Sequence, residues 1–298
     1  MFTRNSGATL AWLLSVSVVM SGGAFAQSKT IEVADGVYAF DNSKVTGYNS
    51  LFVTTGDGVV VIEPANPNHA KALLQAIRSV TDEPIKYLLH SHNHWDHSKG
   101  GQVFKDEGAI IMAHKAAYDW MKANPHPQML LPDEGWEGNR KDIRLGDKTI
   151  ELHYLGMNHG LGTTIFRVSE QKVIYIADLV TQKRVLFTIV PDFNMKETLR
   201  SLEEIEALDF DKAVFSHGMA VGGKMAVTEA RQFIVDLQAA IRAEFAKRTP
   251  FMQIPSTVKL PKYQDWGMYE EWLPMNIWRV MLEDWMGPWP WIPESTRN

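Results

Sequence analysis

The chain has 298 residues, of which 45% are hydrophobic and 22% are charged, and its formal net charge is −5. This composition is typical of a globular protein, because it is too apolar for disorder and too charged for repeated membrane crossing. The mild acidity and the lack of a basic face argue against a nucleic-acid partner. The sequence contains no cysteine, which excludes disulfides, iron–sulfur clusters, thiolate metal ligands and a cysteine nucleophile.

The first 26 residues have the pattern of a secretory signal peptide. Arg4 precedes an apolar run over residues 10–20, and an A-x-A cleavage site ends at Ala26. An apolar run of this length is too short to cross the ~30 Å hydrocarbon core of a bilayer, which argues against a membrane anchor. We therefore expect cleavage after Ala26 and export without stable membrane insertion. A cysteine-free exported chain of this size is compatible with a bacterial periplasm.

Short strands and helices alternate from residue 30 to residue 217. Hydrophobic periodicity predicts strands at 30–40, 50–55, 59–62, 84–89, 109–113, 149–155, 163–168, 173–177 and 213–216, and helices at 68–80 and 196–208. Residues 124–141 are rich in Pro, Gly and Asn, which predicts a long surface loop. Long loops in compact domains are often functional.

The chain changes in character after Gly218. Amphipathic patterns predict helices at 228–247 and 265–286. This part of the chain holds six tryptophans, at positions Trp266, Trp272, Trp278, Trp285, Trp289 and Trp291. Their side chains could pack against the main domain, or they could form a wall of an apolar substrate pocket or a dimer face. We expect three parts: the signal peptide (1–26), a main domain (27–224) and a helical, Trp-rich extension (225–298).

A histidine cluster follows the predicted strand at 84–89. His92, His94, Asp96 and His97 have the spacing H-x-H-x-D-H, which would arise by chance in about one sequence in a thousand of this composition. Side chains two residues apart point the same way in an extended segment, so His92 and His94 can converge on one cation. If a helix follows, Asp96 and His97 project towards a second position. Imidazole and carboxylate are ligands for zinc and similar metals, whereas a histidine-rich surface loop would bind metals only adventitiously.

The sequence resembles the metallo-β-lactamase superfamily across most of the mature chain. The H-x-H-x-D-H motif after a strand is joined by His159 in a glycine turn after a strand. Asp178 ends a buried strand, and His217 lies in a glycine-flanked turn. The resemblance implies an α+β fold, the four-layer αββα metallo-β-lactamase sandwich, with metals at one edge.

The resemblance also implies two zinc ions per chain, with a bridging carboxylate between them. His92, His94 and His159 would hold the first metal, Asp96, His97 and His217 would hold the second, and Asp178 would bridge them.

The other histidines have different expected roles. His90 occupies a position where this family often has threonine, so we expect it to pack behind the ligands. His114 and His153 are expected to be structural. His69 and His126 are expected at the surface.

The implied chemistry is hydrolysis. Two divalent cations about 3.5–4 Å apart can share a hydroxide at neutral pH, and this hydroxide would be the nucleophile. Asp96 would be catalytic, because it would orient the water and carry its proton. We therefore expect an exported di-zinc hydrolase that cleaves a small ester, lactone, lactam or thioester with an apolar or aromatic character. Specificity is expected in residues 124–141, residues 181–194 and the Trp-rich tail.

Three alternatives remain open at this level. The lack of cysteine leaves a β-lactamase of the His/Asp-only type, and Thr181 stands where acyl-homoserine lactonases typically have tyrosine. A mono-iron persulfide dioxygenase uses two histidines and one aspartate, but the presence of His97 and His217 argues against one-metal chemistry. A non-catalytic periplasmic metal-binding or relay protein is the third alternative.

Overall fold

The computed structural model describes residues 27–288. The predicted signal peptide, Trp289 and Trp291 therefore lie outside the described residues. The first sheet contains β1 (Lys29–Ala34), β2 (Val37–Asn42), β3 (Tyr48–Thr54), β4 (Val59–Ile62), β5 (Ile85–Leu89), β6 (Ile110–His114) and β7 (Glu134–Trp136). These strands are adjacent in chain order. Their pairing is antiparallel from β1 to β4 and parallel from β4 to β7.

The second sheet has the order β13-β12-β11-β10-β9-β8. Its strands are β8 (Arg140–Leu145), β9 (Lys148–Tyr154), β10 (Thr164–Val168), β11 (Val173–Ile176), β12 (Lys212–Phe215) and β13 (Val221–Gly222). Within this sheet β11 and β12 are parallel, and the other neighbours are antiparallel.

Helices cover the outer faces of both sheets. They are α1 (Pro67–Val80), α2 (Trp95–Ser98), α3 (Gly101–Asp106), α4 (Lys115–Ala123), α5 (Met195–Ala207), α6 (Lys224–Ala246), α7 (Ile254–Thr257) and α8 (Tyr269–Met286). Among residues 27–288, no helix is both long enough and apolar enough to cross a membrane.

Three apolar clusters lie between four layers. The central cluster joins the facing sides of the two sheets, through residues such as Val53 and Leu152. A second cluster packs Leu73 of α1 against the first sheet. The third packs α5, α6, α7 and α8 against the second sheet, with Phe233 fully buried. Each sheet therefore buries both faces, which is the αββα sandwich that the family resemblance implies.

Residues 124–141 are less irregular than expected. The three-residue β7 pairs in parallel with β6, and β8 begins at Arg140. β7 has only three residues and pairs with β6 from an earlier part of the chain, whereas β8 forms a hairpin with the following strand β9. Four of the six residues of β8 are charged, so hydrophobic periodicity does not indicate this strand. The expected exposure of His69 is also wrong: α1 buries this side chain completely, and Ser50 lies 2.8 Å from its Nε2.

The C-terminal helices belong to the core of the second sheet. The predicted helices at 228–247 and 265–286 are observed as α6 and α8. Trp266, Trp272 and Trp278 pack against the same apolar cluster as these helices, as core packing requires. Trp285, in contrast, is 72% exposed.

Candidate metal centre

The predicted ligands meet at one edge of the sandwich. The parallel pairs β4–β5 and β11–β12 have their carboxyl ends at this edge. Ligand-binding sites of open sheets commonly lie outside the carboxyl ends of parallel strands. After β5 the chain bends at residues 91–93, the backbone of His94 is extended, and α2 begins at Trp95, so the expected change from strand to helix is observed. His159 lies in the turn after β9. Asp178 and His217 each lie two residues beyond the end of a strand.

The first cluster consists of one ligand atom from each of four side chains, all within 4.8 Å of one another: His92, His94, His159 and Asp178. Nε2 of His159 lies 3.0 Å from Oδ2 of Asp178, and Nε2 of His92 lies 3.4 Å from the same oxygen. Nε2 of His92 is buried and has no hydrogen-bond partner among the described residues. An unpaired buried polar atom costs free energy, so this donor set fits a cation that would occupy the space between its members.

The second cluster consists of His97, Asp178 and His217 and has the same spacing. Nε2 of His217 lies 3.0 Å from Oδ1 of Asp178, and Nε2 of His97 lies 3.2 Å from Oδ2. Oδ2 of Asp178 thus lies near ligand atoms of both clusters, and Oδ1 faces His217. The two clusters therefore share this carboxylate.

Asp96 lies at the rim of the second cluster. Its Oδ2 is 3.4 Å from Nε2 of His97 and accepts a hydrogen bond of 3.0 Å from the Tyr48 hydroxyl. Its side chain is 56% exposed, a larger fraction than for any of the other six predicted ligands. Burial and the carboxylate of Asp96 raise the pKa of Tyr48, so its hydroxyl remains a donor. Asp96 therefore faces the cavity and also contacts His97 of the second ligand cluster.

The backbone at the site is unusual. Asp178 and Glu63 have φ values of 57° and 74°, in the left-handed region that non-glycine residues rarely adopt. Such strain is found preferentially at functional sites, where the surroundings enforce it. For Asp178 this enforcement comes from Ser216, whose Oγ accepts a hydrogen bond from the Asp178 amide and donates one to Oδ1.

Charges within the cluster shift the ionisation of its members. Burial alone would raise the pKa of Asp178, but His97 and His217 override it and hold this pKa well below its usual range. Burial alone would lower the pKa of His97, but the carboxylates of Asp178 and Glu63 have the larger effect and raise this pKa to about 10. Protons thus balance the carboxylates when no cation is bound. A divalent cation would displace them, because metal ligands bind in the deprotonated form.

Two carboxylates outside the predicted ligand set support the ligands. Glu63 is fully buried, and its Oε1 lies 3.1 Å from Nδ1 of His97. Asp192 lies 2.6 Å from Nε2 of His94 and 3.3 Å from Nδ1 of His159. Glu63 follows the predicted buried strand 59–62, so the reasoning applied to Asp178 could have found it. Asp192 lies in an irregular segment without a local signal.

A cavity of about 620 Å³ opens above the two clusters. Much of its wall comes from residues 181–194, which we call the cavity loop, and from Phe233 and Trp266. Arg184 adds a guanidinium group to this wall. Among the described residues, none from 124–141 lines the cavity, so the expected role of that segment in specificity has no support in the geometry.

Comparisons with known proteins identify relatives of this chain. Two subunits of 2,4-dinitroanisole O-demethylase from Nocardioides sp. (strain JS1661) are similar in sequence. The alpha subunit is 25% identical over 172 residues, which are 57% of this chain and 52% of that subunit. The beta subunit is 24% identical over 265 residues, which are 85% of this chain and 81% of that subunit. This chain thus spans about half the length of the alpha subunit.

A solved structure, the metallo-beta-lactamase from Pontibacter korlensis, has a similar fold. Its TM-score is 0.62 at 17% identity, and the match covers 70% of this chain and 99% of that chain. The family model of the metallo-beta-lactamase superfamily matches residues 44–217. This range contains all seven predicted metal ligands and more than half of the chain. The protein therefore belongs to the metallo-beta-lactamase superfamily.

Proposed function

We propose that the chain is a di-zinc hydrolase that cleaves a small ester, lactone, lactam or thioester. The observation that carries this proposal is the pair of ligand clusters that share Asp178 on the floor of the cavity. The chain offers four ligands to one cation and three to the other. A non-catalytic metal site or a one-metal enzyme does not require this second cluster.

The chemistry divides between the cations and the protein. When bound, two cations at such a site would lower the pKa of a water molecule and polarise the carbonyl oxygen next to the bond that is cut. Imidazole and carboxylate donors of this kind fit zinc. Asp96 orients the attacking water: Tyr48 occupies its Oδ2, which leaves Oδ1 to accept a proton from that water.

The cavity wall favours a substrate with an apolar or aromatic body. Phe187, Phe193 and Trp266 form part of this wall, and the cavity volume is within the range of small-molecule sites. Arg184 supplies a polar contact. Its Nη2 donates to Oγ1 of Thr181, while its buried Nε has no hydrogen-bond partner within residues 27–288. We infer that Arg184 binds an oxygen of the substrate.

Cleavage of an activated aryl ether is a second candidate. Two relatives carry the name 2,4-dinitroanisole O-demethylase, and the beta subunit matches 85% of this chain. The aromatic wall of the cavity fits an aryl group, and Arg184 fits the oxygen of a ring substituent. Water would supply the hydroxyl group of one product and the proton of the other.

Metal analysis followed by a substrate panel tests the proposal. We would purify the chain from Gln27 onwards, determine zinc and iron per chain, and assay esters, lactones, β-lactams, thioesters and nitroaryl ethers. Two zinc ions and a hydrolysis that a chelator stops and zinc restores would support the proposal. One iron with persulfide oxidation would support the dioxygenase alternative and contradict it. Stable zinc without turnover of any panel member would also contradict it.

The proposal includes export to the periplasm. Expression of the full chain in a Gram-negative host, followed by N-terminal sequencing, tests this part. A periplasmic product that begins at Gln27 is the expected result. A cytoplasmic product that retains residues 1–26 would contradict export without affecting the proposed chemistry.

A further inference from the structure

The cavity loop is held in place by one side of α8. Nδ2 of Asn276 donates to the carbonyl oxygens of Leu186 and Thr188, at 3.0 and 2.6 Å. Arg279, one turn further along the helix, donates from Nε to the carbonyl of Val190 at 3.2 Å and from Nη2 to that of Phe193. These two buried side chains therefore fix four successive points of the loop.

A third side chain of α8 fixes the end of this segment. The Glu283 carboxylate accepts hydrogen bonds from the amides of Met195 and Lys196, at 3.1 and 3.4 Å, and forms an ion pair of 3.1 Å with Arg279. Residues 276, 279 and 283 are spaced by three and four, so they share one face of the helix. The loop therefore follows a single face of α8 from residue 186 to the start of α5.

The loop conformation depends on these contacts. Thr188 and Val190 have φ values of 47° and 36°, which β-branched residues avoid. A backbone strained in this way persists only when its surroundings enforce it. Asn276 and Arg279 bond the carbonyls of these same two residues. Without α8, we expect this segment to relax.

Asp192 is the residue that this loop presents to the metal centre. It lies between the two loop carbonyls that Arg279 binds. Its Oδ2 lies 2.6 Å from Nε2 of His94, and its Oδ1 lies 3.3 Å from Nδ1 of His159. Nε2 of His159 faces Asp178 instead, so Asp192 contacts the nitrogen that does not point to the bridging carboxylate. One carboxylate thus connects two histidines from separate segments.

We propose that Asp192 is the positioning residue of the first metal site and that α8 sets its place through Asn276, Arg279 and Glu283. A carboxylate on the outer nitrogen of a ligating histidine fixes the ring and its tautomer and makes the other nitrogen a better ligand. The C-terminal extension thereby supports the metal centre through the backbone of the cavity loop. The inference rests on the metal site of the proposed function, but it does not depend on which bond is cleaved.

Metal affinity tests the role of Asp192. Asp192→Asn keeps the shape of the side chain and removes its charge, and Asp265→Asn is the control at an exposed aspartate. We expect zinc affinity at one of the two sites to fall about 10–100-fold in Asp192→Asn, measured by competition with a chromophoric chelator. The absorption spectrum of the cobalt-substituted protein should change as well. The melting temperature of the metal-free protein should stay close to that of the control.

Variants of α8 test how Asp192 is placed. Glu283→Gln and Asn276→Ala weaken the contacts to the loop, and Asp284→Asn is the control on the exposed side of the same helix. The first two variants should weaken zinc binding at the same site as Asp192→Asn and change the cobalt spectrum in the same direction. A lower melting temperature with unchanged affinity and spectrum would mean a structural role alone and would overturn the role of α8.

The outcomes separate this inference from the proposed function. If the wild-type chain binds two cations but hydrolyses nothing, the proposed function fails and the role of Asp192 is still measurable. If the wild type hydrolyses its substrate while Asp192→Asn keeps wild-type affinity and spectrum, the inference is wrong and the proposed function stands.

Discussion

Glu63 and His97 form a buried pair behind the metal centre, with Oε1 of the glutamate 3.1 Å from Nδ1 of the imidazole. Both side chains are almost completely buried. The other carboxylate oxygen of Glu63 accepts a hydrogen bond from Ser91, whose Oγ lies 2.8 Å from Nδ1 of His92. One carboxylate therefore orients a ligand of the second cluster directly and a ligand of the first through a hydroxyl group. Glu63 therefore supports both metal positions, and Asp178, which lines the cavity, is shared by both ligand clusters.

Replacement of this carboxylate should weaken the metal centre. Glu63→Gln removes the negative charge that holds the proton on Nδ1 of His97, so Nε2 becomes a poorer ligand. We expect zinc affinity to fall about 10–100-fold. Chelator competition measures this loss, and Glu107→Gln, at a carboxylate paired with Arg78 far from the site, is the control. Equal affinities of the two variants would show that Glu63 does not support the ligands.

Asp96 should be required for turnover but not for folding. Its side chain is the most exposed of the predicted ligands, so Asp96→Asn removes a proton acceptor without leaving a cavity in the core. We expect kcat to fall about 10²–10⁴-fold, the range for loss of a general base. The melting temperature should stay near that of Asp106→Asn, the control at an exposed aspartate. An unchanged kcat in Asp96→Asn would rule out the proposed role in orienting water.

Arg184 should act on substrate binding more than on the chemical step. Its guanidinium lies 5.3 Å from the centre of the Trp272 ring, and burial lowers its pKa. Arg184→Met keeps much of the side-chain volume but removes the hydrogen-bond donors, so KM should rise about tenfold or more with a smaller change in kcat. Lys183→Met, at the neighbouring exposed cation, should keep the wild-type KM. Equal effects of both substitutions would mean that only the net charge of the loop matters.

Gly160 should be irreplaceable because of its neighbours and not only because of its conformation. Its φ is +61°, and an added Cβ would lie 2.8 Å from Oδ1 of Asn93 and 3.1 Å from Nε2 of His94. Gly108 has a φ of +87° with nothing within 4 Å of such a Cβ, so Gly108→Ala measures the backbone strain alone. That strain costs about 1–2 kcal/mol. Gly160→Ala should cost more and also weaken zinc binding, as urea unfolding and zinc titration would show. Similar losses in both variants would contradict the crowding at Gly160.

The residues that could be predicted from the sequence are those with a local pattern. Four ligands lie within six residues of one strand-to-helix segment, and the other three follow strands or glycine turns, so each could be recognised from its immediate neighbours. Asp192 has no such pattern. It reaches His94 across 98 positions of sequence, and its place depends on α8, a further 80 or more residues away. β7 was missed for the same physical reason, since its pairing with β6 involves distant residues.

His69 should make the folded state less stable as the pH falls. Burial, together with the charges of His97 and His217, lowers the pKa of His69 to about 3. In the unfolded chain a histidine takes up its proton near pH 6.5, so between about pH 6.5 and 3 the unfolded state binds one more proton than the folded state. The free energy of unfolding should therefore decrease by up to about 1.4 kcal/mol per pH unit as the pH falls through this range, and the full contribution should be present above pH 6.5. Urea unfolding of the metal-free protein at several pH values, for the wild type and for His69→Gln, isolates this contribution because all other titrating groups occur in both proteins. The two curves should converge as the pH falls, and parallel curves would show that the pKa of His69 is the same in the folded and unfolded states.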